Sequence, residues 1–300
     1  MITTVAQALE AAKKAGRTRI AVAAAQEGSA LEAAVDAHKN GIADSILVGD
    51  LAAMDKLAAE LGLDLSPFER IEERDTGKAA ATCVELVKAG RADMLMKGIL
   101  DTATLLKAVL NKDVGLSAGR LMSHVGIMEV PTYHKLLIVT DPAINIAPDI
   151  PAKLDIIANA VKAALALGIK KPKVALLAAV EKVNPEKMPC TAEAAIITQM
   201  NRRGQVKDCI IDGPLALDNA ISAESAKTKK IVSEVAGDAD ILVAPDIEAG
   251  NILYKCLLDL AQAKGAGLVM GAAKPVVLTS RSDTAATRLA SVAFASLASR

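Results

Sequence analysis

The chain has 300 residues, a hydrophobic fraction of 52%, and 35 Lys plus Arg against 35 Asp plus Glu, so its formal net charge is zero. This balance argues against nucleic acid as a partner, because binding to a phosphate backbone needs a surplus of basic side chains. The chain also has no Trp, two Tyr and two Phe, which leaves few rings on which single-stranded bases can stack.

Nothing in the sequence predicts export or membrane insertion. The first residues, MITTVAQALE, show no basic segment followed by an apolar one, so we expect no secretory signal. Apolar runs such as LLIVT are much shorter than a membrane span. Cys83, Cys190, Cys209 and Cys256 are far apart and form no C-x-x-C pair, which favours reduced thiols in a cytoplasmic protein and argues against zinc.

Strand-like and helix-like segments alternate along the chain. This alternation predicts an α/β fold with a mostly parallel sheet and helices on both faces. Helix ends are marked by Thr76 as a cap, by Pro151 in a first turn with Gly168 beyond the last, and by Thr191 opening a helix that Gly204 closes. The runs predicted as strands are 20–25, 45–48, 94–96, 123–130, 136–140, 174–179, 209–211, 241–243 and 275–279.

Two passages predict crossings between domains. DPAINIAPDIP, residues 141–151, is the most Pro-rich stretch, and residues 264–275 are rich in Gly, Ala and Lys. We therefore expect a discontinuous α/β domain of residues 1–141 and 268–300, with a second α/β domain of residues 142–267 inserted into it.

Several common site motifs are missing from the sequence. It contains no G-x-x-x-x-G-K-[ST] loop, no G-x-S-x-G and no H-E-x-x-H, and GAGLVMG at 265–271 lacks the spacing of a dinucleotide-binding fingerprint. The acidic residues Asp208, Asp212 and Asp218 lie close in sequence, but Asp212-Gly-Pro equally fits a turn at a strand end. We assign these aspartates structural roles and predict no metal site.

Polar residues follow a predicted strand in LMKGILDTATLLK, residues 95–107. The strand stops at Lys97 and Gly98, and a helix begins near Asp101. Open α/β sheets place ligand sites at the carboxyl ends of strands, where helix N–H groups and a hydroxyl such as that of Thr102 can hold phosphate. In the alternative interpretation, Gly98 makes a turn and Asp101 is an ordinary helix cap.

A histidine stands within MSHVGIMEV, residues 122–130, a run that predicts a buried strand. His124 is a candidate acid–base group or hydrogen-bond partner for a substrate. A single histidine in a buried strand is also a common structural feature, and both interpretations stay open.

The segment TSRSDTAATR, residues 279–288, directly follows the strand-like PVVL. A strand that ends in Ser-Arg and continues into a helix brings together a hydroxyl, a guanidinium and helix N–H groups. Arg281 has the fork that binds phosphate, and Ser280 can donate to a developing oxyanion. Alternatively, Ser282 or Asp283 caps the last helix and Arg281 is solvated.

Six segments of the chain form an ordered set: LMKG with the helix after it, the Ser-His strand at 122–130, TDPAINIAPD at 140–149, DGPLALDNA at 212–220, PDIEAGNILYK at 245–255 and PVVLTSR at 275–281. Taken together they resemble the phosphate acetyl/butyryl transferase family, and they occur in the family's order. The stretch AAVEKVNPEKMPCTAEA, residues 178–194, is more similar to the butyryl branch than to the acetyl branch.

The resemblance implies two α/β domains with mostly parallel sheets and an interdomain cleft, similar to isocitrate and isopropylmalate dehydrogenases. It implies an acyltransferase that interconverts a short-chain acyl-CoA plus phosphate and an acyl phosphate plus CoA, with butyryl-CoA as the first expectation. Coenzyme A is then a substrate or product, no cofactor or metal is permanently bound, and the protein is a homodimer or larger homo-oligomer. The implied residues are catalytic Ser280, Arg281 and Asp283, and substrate-binding Lys97, Gly98, Thr102, Ser123, His124, Asn145 and Asn251.

The sequence departs from the acetyl branch at two positions. Enzymes of that branch resemble S-R-G-x-S-x-x-D, whose Asp assists with the CoA thiol proton, and Thr287 occupies the corresponding position here. Since a threonine cannot act as a general base, Asp283 is the candidate substitute. Lys107 stands where the first motif of that branch has a phosphate-binding Arg, which keeps the charge and loses the bidentate fork.

Other functions share some of these features. A phosphate acetyltransferase would use acetyl-CoA in the same site. A metal- and NAD-dependent decarboxylating dehydrogenase would need a coordinating Asp cluster and a paired Lys/Tyr, which we do not find in the sequence. A non-catalytic protein that binds CoA or phosphate would use Ser280 and Arg281 for binding alone.

Overall fold

The computed structural model describes residues 1–279 and 283–300, in which strands and helices alternate as the sequence predicts. The described strands are β1 (Thr18–Ala23), β2 (Ala43–Gly49), β3 (Glu69–Glu72), β4 (Met94–Lys97), β5 (Ser123–Glu129), β6 (Leu136–Thr140), β7 (Lys173–Leu177), β8 (Ile210–Leu215), β9 (Ile241–Val243), β10 (Lys264–Met270) and β11 (Val276–Val277). The described helices are α1 (Val5–Lys14), α2 (Gly28–Lys39), α3 (Leu51–Leu61), α4 (Thr76–Lys88), α5 (Thr102–Val109), α6 (Ile150–Ala166), α7 (Pro189–Arg202), α8 (Leu217–Ile221), α9 (Ala223–Thr228), α10 (Ile247–Lys255), which continues into a π-helical turn, and α11 (Ala285–Ala298).

The chain divides into two compact units. We call Val5–Arg120 with Ala266–Arg300 the terminal unit, and Met1–Thr4 with Leu121–Gly265 the central unit. The inserted domain predicted from the sequence begins at residue 142, in the Pro-rich stretch, whereas the central unit begins at Leu121 and so includes β5 and β6. The predicted domain boundaries and the predicted cleft stay predictions.

In the terminal unit the strands follow the order β3-β2-β1-β4-β11-β10. Neighbouring strands are parallel, except for the antiparallel pair β10 and β11. Helix α4 packs on β1 and β4, and α2 and α11 contact β2. Because helices cover these strands, β4 is buried along its whole length and reads as an apolar run that ends in a lysine.

In the central unit the order is β5-β6-β9-β7-β8. The strands are parallel apart from β5, which runs antiparallel to β6. The core beneath them contains Leu137, Val139, Ala175 and Leu242. Because β5 is antiparallel, its first residues lie at the carboxyl edge of the other strands, which is where ligand sites form in open α/β sheets. The predicted α/β class with mostly parallel pairing is confirmed within each unit.

Two strands were not predicted. Strand β3 has the sequence ERIE, and its positions alternate between half-buried and exposed because it lies at an edge of its sheet. Residues 264–275, predicted as a passage between domains, contain the buried strand β10 instead. Its glycines permit close packing, since a Cβ on Gly265 would lie 2.6 Å from Leu258 Cδ2.

The predicted helix ends are right to within a few residues, but three caps differ. The side chain of Asp75, rather than Thr76, caps α4 by accepting from Lys78 N. Helix α7 begins at Pro189, before Thr191, because a proline fits the first turn. Helix α11 is capped by Thr284, which accepts from Thr287 N.

Charged side chains meet at the amino edge of the central sheet, and two of them, Lys135 and Asp240, are buried. Lys135 Nζ lies 2.7 Å from Asp240 Oδ1 and 2.9 Å from Asp238 Oδ1, and Lys173 Nζ lies 2.7 Å from Asp238 Oδ2. His134 Nε2 is 2.9 Å from Asp238 Oδ1. Burial alone would raise the pKa of Asp238, but the hydrogen bonds of Lys173 and Lys135, the charge of Lys135 and the hydrogen bond of His134 together lower this pKa well below its usual range.

This lowered pKa predicts an acid-sensitive contribution to stability. The folded-state pKa of Asp238 lies below the unfolded value of about 3.9, so its carboxylate stabilises the fold above about pH 4 and this stabilisation is lost as the pH falls further. We expect Asp238→Asn to lower the urea midpoint at pH 7 and the difference from wild type to shrink between about pH 4 and pH 3. A difference that stays constant over that range would contradict the role given to this carboxylate.

The four cysteines, all within the described residues, are free thiols. Burial raises the pKa of the Cys83 thiol, and burial followed by the nearby Asp208 charge raises that of Cys209 to about 11. Cys256 is exposed, so we expect it to be the thiol most accessible to modifying reagents. Among the described helices, none has the length and apolar composition needed to span a bilayer.

Candidate active site

Three strands of the terminal unit end at one edge of its sheet. Ala23 at the end of β1 pairs in register with Lys97 at the end of β4, and Val277 of β11 pairs with Met96. Since all three strands are parallel, the segments that follow them emerge side by side. Residues 280–282 follow β11 in the sequence. The predicted catalytic Ser280 and Arg281 are among them and lie outside the described residues.

Lys97 is buried at this edge, with only 3% of its surface exposed. Its Nζ donates to Gly98 O and to Leu100 O, each at 3.2 Å, so the side chain folds over the turn that follows its own strand. The ammonium group is thereby held in a low-dielectric environment, where its interaction with an anion is stronger than in water.

Gly98 packs directly on the end of β1. Its N–H donates to Ala23 O at 2.8 Å, which ties the residue after β4 to the end of β1. A Cβ at this position would overlap Ala24 O and lie 2.7 Å from Ala23 O. Gly98 therefore has a packing role at this edge, and its contact with substrate stays a prediction.

The close approach of Gly98 to the backbone of Ala23 and Ala24 predicts that Gly98→Ala disturbs the carboxyl edge of the terminal unit's sheet. Because the obstructing atoms belong to backbone, relief needs a shift of one strand end, and we expect a loss of about 1–3 kcal/mol in unfolding free energy together with lower activity. The control is Gly77→Ala in the first turn of α4, where a Cβ would lie 3.2 Å from Asp75 Oδ1. Equal urea midpoints for the two variants would contradict the packing argument.

The other predicted residues of this edge flank the undescribed segment or start a helix. Thr102 is the first residue of α5 and is half-buried, with Asp101 in the N-cap position. Asp283 is half-buried and immediately precedes Thr284, the cap of α11. Helix α5 therefore begins at the position that the sequence predicts, and its use as an anion site stays a prediction.

Ser123 and His124 begin β5 at the carboxyl edge of the central unit. Ser123 is fully buried, and its Oγ accepts from Asn159 Nδ2 at 2.9 Å, which gives it a structural role. The His124 ring is 5% exposed and meets Tyr254 edge-on, with ring centroids 5.6 Å apart. Its backbone oxygen accepts from Thr140 Oγ1 at 2.8 Å, which joins β5 to the end of β6.

The loop after β6 is organised by a carboxylate that the sequence analysis did not single out. Asp141 Oδ1 accepts from Ala143 N at 2.9 Å and from Ile144 N at 3.1 Å, and its Oδ2 accepts from Asn145 Nδ2 at 2.6 Å. Asn145 Nδ2 also donates to Met122 O. The predicted Asn145 therefore braces this loop against the start of β5.

Asn251 reaches the same loop from α10, where its Nδ2 donates to Pro142 O at 2.9 Å. The structure thus brings together four predicted residues of the central unit: Ser123, His124, Asn145 and Asn251. These contacts hold the loop and the strand ends in place, and contacts of the four residues with substrate stay predictions. Asp141 could have been suspected, because an Asp before Pro at a strand end commonly organises a turn.

Arg288 and Glu27 form a second feature that the sequence analysis missed. Arg288 lies in the first turns of α11, is fully buried, and makes a two-pronged contact with Glu27 Oε1 and Oε2 at 2.5 and 3.2 Å. Its Nη1 also donates to Lys97 O at 3.3 Å. The sequence signal was an arginine within an otherwise uncharged helix, and nothing local indicates its distant partner.

Within the described ranges, no group of three or more His, Cys, Asp or Glu side chains is arranged to hold a metal ion. The aspartates considered as a metal cluster have other partners. Asp218 Oδ2 accepts from Ser225 Oγ at 2.6 Å, and Asp212 Oδ1 accepts from Gly213 N at 3.0 Å.

A family model described as phosphate acetyl/butaryl transferase matches residues 3–82 and 69–296, which is nearly the whole chain. The chain belongs to this family. The family predicted from the sequence segments is therefore confirmed, and so is its assignment to the transferases.

Relatives from both branches align over almost their full length. The chain is 50% identical to the phosphate butyryltransferase of Clostridium acetobutylicum over 93% of this chain and 92% of that one. It is 43% identical to the phosphate acetyltransferase of Thermotoga maritima over 96% and 97% of the two chains. Among solved structures, a branched-chain phosphotransacylase from Enterococcus faecalis matches with a TM-score of 0.83 and 34% identity, covering 94% of this chain and 99% of that one.

Proposed function

We propose that this protein transfers a short acyl group between coenzyme A and inorganic phosphate, with butyryl-CoA as the preferred thioester. The observation that carries the proposal is the 50% identity to a phosphate butyryltransferase over 93% of the chain. The likeness to a branched-chain phosphotransacylase also supports an acyl group longer than acetyl. Membership of this family favours acyl transfer over the decarboxylating dehydrogenase that the sequence analysis considered.

The reaction requires phosphate to be held in line with the thioester carbonyl. An oxygen of phosphate attacks the carbonyl carbon and forms a tetrahedral adduct, and the carbon–sulfur bond then breaks to give the acyl phosphate and the CoA thiolate. Arg281 would bind phosphate through its fork, and the buried ammonium of Lys97 would add a second positive charge. The first turn of α5, with Thr102, supplies N–H groups suited to the same anion.

The adduct carries a negative charge on the former carbonyl oxygen, and the leaving sulfur needs a proton. Ser280 would donate a hydrogen bond to the oxyanion, and Asp283 would exchange the thiol proton in place of the Asp that Thr287 replaces. His124, Asn145 and Asn251 would bind substrate at the carboxyl edge of the central unit. These assignments follow the family resemblance.

The role of Ser280 predicts a selective loss of rate. Ser280→Ala should lower kcat by about 100-fold, as the loss of one oxyanion donor usually does, while the urea midpoint stays near that of wild type. Steady-state kinetics and urea unfolding of the same preparation check both parts. A variant that unfolds would give Ser280 a structural role instead.

The acyl preference is tested by phosphate-dependent release of CoA thiol from acetyl-, propionyl-, butyryl- and branched-chain acyl-CoA, without metal or nucleotide. We expect release only with phosphate, with the highest kcat/KM for butyryl-CoA. A single methylene contributes only about 1–3 kcal/mol of discrimination, so neighbouring chain lengths should react measurably. A maximum at acetyl-CoA would assign the chain to phosphate acetyltransferase activity, and CoA binding without release would support a binding protein.

Three further properties are proposed from the family resemblance. The protein would work in the cytoplasm, bind no permanent cofactor, and form a homodimer or larger homo-oligomer. Light scattering during gel filtration tests the last of these. A particle mass equal to the chain mass of 31.0 kDa would contradict the proposed oligomer.

A further inference from the structure

We propose that Glu27 and Arg288 form a positioning pair that fixes Lys97 and the start of α11 for binding of the phosphate substrate. The inference rests on the proposed function, because it assumes that Lys97 contacts phosphate. Both residues belong to the terminal unit and lie where β1, β4 and α11 meet. Neither residue is assigned a part in the chemistry itself.

The contacts of Arg288 converge on the backbone of the proposed phosphate site. Nη1 and Nη2 of its guanidinium donate to the two carboxylate oxygens of Glu27, and Nη1 also donates to Lys97 O at 3.3 Å. Lys97 is held again by its own Nζ, which donates to Gly98 O and Leu100 O. The position of Lys97 is therefore determined by its own side-chain hydrogen bonds and by the hydrogen bond that its backbone oxygen accepts from Arg288.

Glu27 is placed for this contact rather than for helix capping. It occupies the N-cap position of α2 and makes no capping hydrogen bond through its side chain. Its carboxylate instead accepts from Arg288 and from Ser29 Oγ. Since Ser, Thr, Asp and Asn are the residues that cap helices well, a glutamate here is explained better by its arginine partner.

Stability alone is a weak reason for such a pair. Burying two charges costs desolvation free energy, and apolar replacements of both partners are often neutral or stabilising. A bidentate arginine–carboxylate contact does, however, fix geometry in two directions. The pair contacts the end of β4 through Lys97 O, next to the proposed phosphate site. Fixed geometry matters there, since a displacement of about 1 Å can cost 100-fold in rate.

The experiment separates positioning from stability by removing one charge and then both. Arg288→Met leaves Glu27 without its partner and should lower the urea midpoint strongly. The double variant Glu27→Gln with Arg288→Met removes both charges of the pair and should recover most of that midpoint. We expect its KM for phosphate to stay about ten-fold or more above wild type, and its KM for butyryl-CoA to change by less than about three-fold.

Arg288→Lys provides a second route if the double variant does not fold, because it keeps the charge and loses the fork. We expect it, too, to raise the KM for phosphate selectively. The matched control is Arg91→Met, which removes a half-exposed ion pair with Glu69 in the same unit and should leave both KM values unchanged.

Two outcomes would overturn the inference. One is a folded double variant or Arg288→Lys variant with wild-type KM for phosphate. The other is a parallel change in the KM values for both substrates that follows the loss of stability. Wild-type protein without phosphate-dependent thiol release would instead refute the proposed function, so the two failures are distinguishable.

Discussion

Replacing Arg281 by glutamine is expected to lower kcat/KM by about 100-fold or more, because one charged contact to the transition state is lost. Arg281 follows β11, which pairs in parallel with β4, and the chain from β11 therefore leaves the sheet at the edge where Lys97 is buried. Glutamine keeps hydrogen-bonding capacity but has neither the positive charge nor the planar fork that matches phosphate oxygens.

The measurement is steady-state thiol release at several phosphate concentrations. Loss of a phosphate contact should appear both in the KM for phosphate and in kcat, since the charge on the transferring group persists in the transition state. Arg91→Gln, at an exposed position of the same unit, is the control for a lost arginine. Activity of Arg281→Gln within a few-fold of wild type would remove Arg281 from the site.

Replacing Lys135 by methionine is expected to lower the unfolding free energy by about 3–5 kcal/mol, the usual cost of breaking a buried ion pair. Lys135 and Asp240 have side chains only 9% and 5% exposed, and their charged atoms are 2.7 Å apart. Methionine fills a similar volume, so the loss comes mainly from the carboxylate of Asp240, which is left buried without its cation. The contact that Asp240 Oδ2 accepts from Lys173 N, at 2.8 Å, does not replace the lost charge.

The control for this effect is Lys264→Met in the same unit. Lys264 is 74% exposed and lies 3.5 Å from Glu129, so its removal should change the unfolding free energy by less than about 1 kcal/mol. Urea unfolding of both variants at pH 7 gives the comparison. Equal losses in the two variants would show that burial does not set the cost of breaking these pairs.

The class of the fold was predictable because buried parallel strands leave a strong signal. Runs such as 136–140 and 241–243 consist of apolar β-formers and coincide with β6 and β9. Strand direction was not predictable, because β5 and β10 pair antiparallel through tertiary contacts that no local pattern encodes. Glycines misled the interpretation of 264–275, since they signal a flexible passage and a closely packed strand alike.

The candidate site was predictable in residue type and less so in role. A lysine after an apolar run marked Lys97 correctly as the last residue of a strand. His124 was expected within a buried strand and is the second residue of β5. The side-chain amides of Asn145 and Asn251 brace the loop that Asp141 organises. Such contacts depend on which segments the fold brings together.

The pair of Arg288 with Glu27 shows the same limit more clearly. The two residues are 261 positions apart in sequence and meet only because β1, β4 and α11 converge. An arginine within an apolar helix predicts a buried partner of opposite charge, because an unpaired buried charge is very costly. The identity of that partner needs the folded structure.

Acyl transfer to phosphate is tested most directly by following the product, with ³¹P NMR of phosphate, butyryl-CoA and protein alongside measurement of free thiol. We expect an acyl phosphate resonance that grows in equal amount with the released thiol, and no thiol release when phosphate is left out. Thiol release accompanied by free butyrate and no acyl phosphate would identify a thioester hydrolase and contradict transfer to phosphate.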